Sequence, residues 1–510
     1  METFMQQHRA CVKGAVSGFD RVIFRGTLRS ISYAAGLDKF LGAQHVLYKD
    51  FKGYAMQLTN MLATHAKNFA AKHQRPYEYL ASSSISKEAR ACEIAERDGI
   101  TAGLICVLSC VEPCRTFTVR SSRDDHRLKV VNEERRCLFF YFYFFDREFG
   151  LMHVRVQSWI PFQIQVYING RSYLARQLEH ENIAFNQHGN CFTHIDDLDR
   201  AQALLDMLAR RRWERTLNKF ARQAFPLLAG PLEDLHGYYW TIRESEHATD
   251  VMFRSADDLQ ALYPALIHHA ITQMSCHDVL RFLGRKQVTR RFNGEVHVSY
   301  AERGEGVRVK HVVNRNSIKM YNKAGSVLRI ETTINDPHDM RVVRRTDDGS
   351  LARKPLRKGI VDTLTRVNAA RAANGRYLEA LAVVGDDSPC HTVLDPLTKP
   401  ATSHGRTYRA LRPTQPDDAQ LLALANDGTL LLNGFRNADL RRLLFPQAEG
   451  DPVERRRSSA RVSHRIAILA AHGLICRVPR SHRYRPTARG RRVATASVAA
   501  RTAPISRRLP

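Results

Sequence analysis

The chain has 510 residues, of which 44% are hydrophobic and 25% are charged, and its formal net charge is +27. At about 150 residues per domain this length predicts three or four domains, and the composition excludes both a peptide hormone and a mostly disordered chain. The excess of Lys and Arg favours a polyanion as the partner, with nucleic acid first and an acidic membrane surface second.

The positive charge is concentrated towards the C-terminal end. No acidic residue follows Glu454, whereas fifteen arginines fall between positions 455 and 508, so the last 56 residues carry +15 and the first 454 share +12. A base-composition bias of the source genome is the alternative origin of a basic chain, but it would spread the charge more evenly. The split therefore predicts an electrostatic binding surface on one C-terminal module.

Apolar runs and cysteines indicate the compartment. The longest uninterrupted apolar run, residues 137–145, has nine residues, about half of what a membrane-spanning helix needs, so we expect no membrane partner. Residues 1–19 lack a continuous apolar stretch, so we expect no signal peptide, a cytoplasmic location and ten reduced cysteines. Cys106, Cys110 and Cys114 lack the paired short spacings of a zinc site, and buried thiols are the preferred interpretation.

The first region, 1–135, mixes both kinds of element. Alternation over 19–28 predicts a half-buried strand, and helical patterns follow over 54–73 and 87–97, the second with Ser86 as its N-cap. The short apolar run 103–109 predicts a buried strand. No phosphate-binding loop and no dinucleotide-binding glycine motif occurs, so NTP hydrolysis and dinucleotide chemistry lose support.

The second region, 136–335, is predicted to hold antiparallel strands and several helices. Strands are predicted over 137–145, 152–159 and 162–168, helices over 171–180, 196–223, 257–274 and 276–283, and a second β-rich block over 306–335. Region 336–413 is predicted to be loops around a helix near 359–381, and 414–510 is the C-terminal module. The predicted class is α+β, with mixed helices and antiparallel sheets and a C-terminal winged helix-turn-helix, for which the residues are given below.

The second β-rich block alternates between apolar and polar residues. Turns at 314–316 and 324–325 predict an antiparallel meander. One face is then apolar, and the other carries Arg308, Lys310, Lys319, Tyr321, Arg329 and Glu331. An exposed sheet face with cross-strand ion pairs is the structural interpretation. A surface that contacts nucleic acid and a catalytic tyrosine are the functional alternatives.

Residues 317–323, Ser-Ile-Lys-Met-Tyr-Asn-Lys, followed by Leu-Arg-Ile-Glu at 328–331, resemble a segment of the filamentous-phage and plasmid replication initiators. Those enzymes nick DNA through a tyrosine. The resemblance implies Tyr321 as the nucleophile, with Lys319 or Lys323 stabilising the developing charge and Glu331 beside them. The initiators also hold a divalent metal with a His-apolar-His strand. The nearest match here, 153–155, has arginine in place of the second histidine.

Residues 244–250 concentrate three carboxylates and one histidine. If this stretch is helical, Glu246 and Asp250 lie on one face, and a third carboxylate such as Glu331 would complete a set of oxygen ligands for Mg²⁺. Mg²⁺ is therefore the candidate cofactor of a phosphoryl-transfer enzyme such as a nuclease or a transposase. The alternative is a helix N-terminus whose acidic residues interact favourably with the helix dipole.

The C-terminal module has a clear order of elements. Helices are predicted over 419–425 and 438–444, the second capped by Asn437. A third helix buries Val462, Ile466 and Leu469 and ends at Gly473, which is expected to take a positive φ. Strands 474–478 and 483–487 then form a hairpin.

Three helices followed by a basic hairpin, with Val462-Ser463-x-x-Ile466 and Tyr484-x-x-Thr487-x-x-Gly490, resemble the winged helix-turn-helix of MarR-type bacterial regulators. The resemblance implies that the third helix enters the major groove. The candidate DNA-binding residues are Arg455, Arg456, Arg457, Arg461, Ser463, His464, Arg465, Arg480, His482, Arg483 and Arg485. A winged helix used as a protein-interaction scaffold is the alternative.

These patterns together predict a DNA-binding protein that acts in replication initiation, mobilisation or transposition of a bacterial element. The body of about 400 residues is larger than a regulator needs merely to dimerise. The alternative is a non-enzymatic transcriptional regulator whose body senses a ligand. The sequence patterns do not decide whether the protein catalyses a reaction. They also leave the oligomeric state open, with a homodimer as one option.

Overall fold

The computed structural model of the protein describes residues 1–121, 127–274, 276–283, 295–303, 306–346, 349–384, 390–403, 405–425, 434–478 and 481–502. Its α-helices are α1 Glu2–Gln7, α2 Ala34–Ala43, α3 Phe51–Lys72, α4 Lys87–Arg97, α5 Gly170–His180, α6 Leu198–Arg210, α7 Trp213–Ala224, α8 Ala256–Thr272, α9 Cys276–Phe282, α10 Thr363–Leu381, α11 Cys390–Leu394, α12 Pro416–Ala425, α13 Asn437–Leu444, α14 Pro452–Ala471 and α15 Ala488–Thr502. None of these helices combines the length and the hydropathy that crossing a bilayer requires.

The strands are β1 Val12–Thr27, β2 Tyr77–Leu80, β3 Gly103–Ser121, β4 Leu128–Asp146, β5 Gly150–Gln157, β6 Ile164–Asn169, β7 Phe185–His188, β8 Cys191–Ile195, β9 Tyr239–Phe253, β10 Val296–Arg303, β11 Gly306–Val313, β12 Asn316–Lys323, β13 Val327–Ile334, β14 Arg341–Arg345, β15 Leu351–Pro355, β16 Ala401–Ser403, β17 Arg406–Tyr408, β18 Ile475–Arg477 and β19 Tyr484–Pro486. Most of the strand pairs are antiparallel. The mixture of helices and antiparallel strands confirms the predicted α+β class.

The chain divides into two compact units, each built from separate segments. The sheet unit comprises Gly14–Met252 and Glu331–Arg371, and the C-terminal unit comprises Met1–Lys13, Phe253–Ile330 and Ala372–Pro510. The four contiguous regions predicted from the sequence are not these units, and strand β4 crosses the predicted limit at 135/136. Strands β9 and β13 each pass from one unit to the other, which a contiguous division cannot describe.

The sheet unit is built on the strand order β9-β1-β6-β5-β4-β3-β2, with residues 331–334 of β13 beside β9. Val22 and Phe24 of β1 lie opposite Ile168 and Val166 of β6, and all four side chains are buried on one face. Helices α3 and α7 cover this face with residues of the same hydrophobic core. Each such large apolar side chain contributes about 1.5 to 3 kcal/mol when fully buried.

Two elements of the sheet unit differ from the predictions. The single helix over 196–223 is wrong, because the chain leaves the helical conformation at Arg211 and starts again at Trp213. The guanidinium of Arg211 donates from Nη2 to Glu148 at 2.9 Å, which stabilises the break. The helical interpretation of 244–250 is also wrong, because these residues belong to β9, which is buried from Ser245 to Phe253.

The β-rich part of the C-terminal unit is an antiparallel meander, as predicted. Strands β10, β11, β12 and β13 are neighbours in this order. The predicted turns are confirmed, with positive φ angles at Asn314, Ala324 and Gly325. The prediction of one exposed polar face is wrong for β13, because Arg329 and Glu331 are both buried. A strand buried on both faces has no solvent-facing side along which polar residues could alternate.

The described elements between α11 and α15 of the C-terminal unit share one hydrophobic core. Val462, Ile466 and Leu469 of α14 are buried in it, as the spacing predicted. Strands β18 and β19 form the predicted antiparallel hairpin. Helix α13 begins at Asn437 and its N-cap is Arg436, so the predicted cap is wrong by one residue.

The expectation of ten reduced cysteines is wrong for one pair. Cys114 on β3 and Cys137 on β4 form a disulfide, with their Cα atoms 6.8 Å apart. Cys106 and Cys110 are buried free thiols, which agrees with the interpretation preferred over a zinc site. Burial raises the pKa of Cys106 to about 12, so this thiol stays protonated at neutral pH.

Gly473 ends α14 with φ +69°, the conformation predicted for it. A Cβ atom there would meet only the Arg489 guanidinium at 3.9 Å, so Gly473→Ala should cost about 1 kcal/mol through backbone strain rather than through a clash. Hydrogen exchange of amides in α14 should then show about five-fold less protection. Gly450→Ala is the matched control, because Gly450 has φ −80° and open space around it. Equal protection in the two variants would contradict the assignment of strain.

Candidate metal centre and candidate DNA-binding surface

Three carboxylates meet in the sheet unit. Asp20 on β1, Glu246 on β9 and Glu331 on β13 each offer an oxygen, and these atoms all lie within 4.8 Å of one another. Their side chains belong to residues that are only 5%, 8% and 2% exposed. The sheet order explains the convergence, because β13, β9 and β1 are consecutive neighbours and each contributes one of the three carboxylates.

The carboxylate group is held by hydrogen-bonding and charged neighbours. Asn190 donates from Nδ2 to both carboxylate oxygens of Asp20, at 3.0 and 2.9 Å. Arg21 contacts Glu246 through Nε at 2.8 Å and Glu244 through Nη2 at 2.7 Å. Burial acts to lower the pKa of Arg21, but the charges of Glu246 and Glu244 raise it above its ordinary value. Arg21 therefore stays a cation beside the group.

Asp250 does not belong to the group formed by Asp20, Glu246 and Glu331. Arg171, which is fully buried, reaches Asp250 from Nη2 at 2.9 Å and also donates from Nη2 to the carbonyl of Ala248. The Nε of Arg171 lies 3.8 Å from Asp20 and has no hydrogen-bond partner. The predicted pair of Glu246 and Asp250 rested on helical spacing, whereas β9 sends Glu246 to the carboxylate group and Asp250 to Arg171.

A buried hydrogen-bond network continues along β1 and β9. The hydroxyl of Ser17 lies 3.0 Å from His247 Nε2 and 2.7 Å from the hydroxyl of Thr249. Burial lowers the pKa of His247 well below its ordinary value, and the positive charges of Arg371 and Arg171 act in the same direction. His247 is therefore a neutral imidazole within the sheet unit.

The donor set of Asp20, Glu246 and Glu331 fits a hard divalent cation. Mg²⁺ and Mn²⁺ take oxygen ligands and are commonly held by a few carboxylates together with water. When bound, such an ion acts as a Lewis acid on a phosphoryl oxygen and lowers the pKa of a bound water. Asn190 and Arg21 orient two of the three carboxylates.

The remaining candidate catalytic residues lie on β12 of the C-terminal unit. Lys319, Tyr321 and Lys323 alternate along one face of this strand, and all three are half-buried. Lys319 lies opposite Lys310 of β11. The structure therefore places Tyr321 with the two lysines on one strand, and it places Glu331 with Asp20 and Glu246 in the sheet unit.

Most of the candidate DNA-binding residues lie on the surface of the C-terminal module. Arg455, Arg456, Arg457, Arg461, Ser463 and His464 of α14 are exposed, as are His482 and Arg485 of the hairpin region. Arg465 and Arg483 are half-buried, and Arg483 donates from Nη1 to the carbonyl of Gly434 at 2.9 Å. Arg480 lies outside the described residues.

Contacts between elements fix the orientation of α14. Asn437 donates from Nδ2 to the carbonyl of Ser459 at 2.7 Å and to the hydroxyl of Ser463 at 2.8 Å. Phe435 and Tyr484 exchange two backbone hydrogen bonds of 2.8 Å, which ties the start of α13 to the hairpin. The guanidinium of Arg465 lies 5.5 Å from the ring centroid of Phe445. The exposed arginines of α14 are thus carried on a rigid support.

Sequence reasoning missed Asp20, Asn190 and Arg171. Asp20 carried one available signal, because it is an acidic residue within an otherwise apolar and basic strand. Asn190 and Arg171 had no such signal, since each acts through a partner far away in the sequence.

The chain matches no protein-family model, no curated protein and no solved structure.

His153, which begins the nearest match to the initiators' His-apolar-His strand, is packed among aromatic rings. Its ring stacks on Tyr167 with centroids 4.9 Å apart and an interplanar angle of 9°. Burial, with a contribution from the charge of Arg155, lowers the pKa of His153 to about 3. A neutral, stacked imidazole of this kind contributes to packing.

His153 should make the sheet unit sensitive to acid. The His153 imidazole binds a proton near pH 6.5 in the unfolded chain and only near pH 3 in the folded chain. The free energy of unfolding therefore has its full value above pH 6.5 and falls by about 1.4 kcal/mol per pH unit between pH 6.5 and pH 3. His153→Phe keeps the ring and should remove this one-proton slope. All three tryptophans lie in the sheet unit, so their fluorescence during denaturation measures it. An unchanged slope between pH 6.5 and 4 would contradict the prediction.

The carboxylate group should confer metal-dependent stability. At a Mn²⁺ or Mg²⁺ concentration one hundred times the Kd, the wild-type chain should gain about 2.7 kcal/mol. Asp20→Asn should abolish this gain, because it removes one of the three charged oxygen ligands. Glu244→Gln is the matched control and should keep the gain. A melting-temperature rise of the same size in Asp20→Asn would contradict the prediction.

Proposed function

We propose that the protein binds DNA through residues 434–502 and acts on DNA strands with a divalent metal held by Asp20, Glu246 and Glu331. The biological setting is the one predicted above, namely replication initiation, mobilisation or transposition of a bacterial element. The observation that carries the proposal is the arginine surface of α14, which is exposed and is followed by no acidic residue. Arg457 pairs with Glu454 at the start of the helix, and the other exposed arginines leave a positive surface that attracts a polyanion.

The order of elements supports a winged helix-turn-helix. Helices α12, α13 and α14 precede the hairpin of β18 and β19, and Phe435 forms an isolated antiparallel β-bridge with Tyr484 of the hairpin. In the proposal α14 is the recognition helix and the hairpin is the wing. This is the assignment that the resemblance to MarR-type regulators implied.

The exposed residues of α14 divide into two roles in this proposal. Arg455, Arg456 and Arg461 contact phosphates, because an exposed guanidinium matches two phosphate oxygens. Ser463 and His464 are exposed further along the helix and are the candidates for base contacts. Arg465 is half-buried against Phe445, so its contribution to binding is smaller.

The metal centre supports phosphoryl transfer on DNA rather than binding alone. A regulator has no need of three buried carboxylates on adjacent strands, whereas metal-assisted phosphodiester chemistry needs such oxygen ligands. Tyr321 is the separate candidate for a covalent route. In that route its hydroxyl oxygen bonds to phosphorus, the phosphodiester bond to the leaving sugar oxygen breaks, and that oxygen takes a proton.

The arginine surface should determine the salt dependence of DNA binding. In the triple variant Arg455→Ala, Arg456→Ala, Arg461→Ala, the slope of log K against log salt should fall by about 0.9 for each phosphate that is no longer neutralised. Fluorescence anisotropy with labelled duplex DNA between about 50 and 200 mM salt measures the slope. Arg120→Ala, whose guanidinium is exposed and paired with Glu133, is the control and should leave the slope unchanged. If the slope of log K against log salt is unchanged in the triple variant, the assignment of DNA binding to this surface is wrong.

Strand cleavage separates the metal route from the tyrosine route. Labelled single- and double-stranded DNA is incubated with the full chain and Mg²⁺ or Mn²⁺, and nicks and covalent adducts are scored. Glu331→Gln should abolish cleavage because a metal ligand is removed. Tyr321→Phe should abolish the adduct only if Tyr321 is the nucleophile. If wild type and both variants bind DNA but never cleave it, the protein is the non-enzymatic regulator.

A further inference from the structure

A row of polar side chains crosses three strands of the sheet unit. Arg25 of β1 lies opposite Gln165 of β6, and Gln165 lies opposite Arg155 of β5. Directly opposed residues of antiparallel strands project to the same side of the sheet. These three side chains therefore stand on the face opposite to Val22 and Phe24, away from the main hydrophobic core.

Arg25 is a cation without a partner. Its Nε is buried and has no hydrogen-bond acceptor, and among the described residues no carboxylate pairs with its guanidinium. Burial lowers the pKa of Arg25, and the positive charges of Arg243 and Arg155 lower it further. Arg25 is half-buried, and an anion that joined it would relieve the repulsion from these two arginines.

The neighbouring charges are held firmly in place. Arg155 reaches Glu112 from Nη2 at 2.7 Å, and Lys87 reaches the same carboxylate at 3.0 Å. The guanidinium of Arg155 also lies 3.7 Å from the ring centroid of Phe139. One carboxylate thus faces two cations, and Arg155 is held in place as one of the two arginines whose charge acts on Arg25.

We propose that Arg25, Arg155 and Arg243 form a site for a phosphate group of a nucleic-acid strand on the sheet unit. Guanidinium groups bind phosphate oxygens in pairs, and a preorganised cluster loses little freedom when the anion arrives. The site itself follows from the unpartnered arginine. Only the choice of a phosphodiester as its occupant rests on the proposed function.

The position of the site agrees with that occupant. Arg21, which contacts Glu246, lies on the same side of β1 as Arg25 and four residues before it. At about 3.3 Å per residue the two arginines are about 13 Å apart along the strand. A bound nucleic-acid strand is long enough to contact the arginine site with one phosphate while another phosphate lies near the carboxylate group.

The site is tested without metal and without DNA. The full chain in EDTA is titrated with inorganic phosphate, and binding is followed by calorimetry and by melting temperature. Arg25→Gln should weaken phosphate binding at least ten-fold and abolish the phosphate-induced rise in melting temperature. Its melting temperature without phosphate should be equal to or above that of wild type. Arg97→Gln removes the same charge from a guanidinium paired with Asp98 and should bind phosphate like wild type.

A second titration in EDTA uses a short oligothymidylate and identifies the occupant. Loss of affinity in Arg25→Gln but not in Arg97→Gln supports the nucleic-acid strand. Equal oligonucleotide affinity together with weakened phosphate binding would assign the site to a small phosphate-bearing molecule and overturn the choice of occupant. Unchanged phosphate binding in Arg25→Gln, or a lower melting temperature without phosphate, would overturn the site itself. None of these outcomes depends on metal-dependent cleavage, so the proposed function can fail separately.

Discussion

The arrangement of the sheet unit depends on the burial of three carboxylates on adjacent strands. Asp20, Glu246 and Glu331 lie within 4.8 Å of one another and are almost fully excluded from water. Two like charges at this separation repel by about 3 kcal/mol at an effective dielectric constant of about 20. Hydrogen bonds, cations or a bound metal ion must offset this repulsion. Asn190 donates to Asp20 and Arg21 contacts Glu246, so both side chains help to do so.

The consequences extend through the strands that carry the group. Strand β9 holds an unusually polar buried stretch, in which Glu246, His247 and Asp250 each have a different environment. Asp250 is matched by the fully buried Arg171, and His247 is kept neutral by burial. A buried ion pair of this kind adds little net stability, but removing one partner is strongly destabilising. These buried polar contacts therefore fix the position of β1 relative to β9, and they add little to the free energy of unfolding of the sheet unit.

The two compact units carry different chemistry. The sheet unit holds the carboxylate group and the unpartnered Arg25, which are suited to a metal ion and to a phosphate. The C-terminal unit holds the arginine surface of α14 and the half-buried Tyr321. Under the proposed function, the arginines would attract the polyanionic substrate and the carboxylate group would hold the metal ion that neutralises charge at the reacting phosphorus.

Local periodicity was sufficient to predict the second half of β1, helix α4 with its Ser86 cap, the hairpin of the C-terminal module and the buried face of Val462, Ile466 and Leu469. These features depend on residues a few positions apart, whose spacing is visible in the sequence. Glu246 was selected through a helical spacing that the structure contradicts, and Glu331 through strand alternation and the local resemblance to replication initiators. Only the tertiary structure decided that Asp20 joins them, that β9 is a strand and that no carboxylate among the described residues pairs with Arg25. Each of these depends on strand pairing between segments up to three hundred residues apart, and the cost of bringing a charge out of water is set by those distant neighbours rather than by the local sequence.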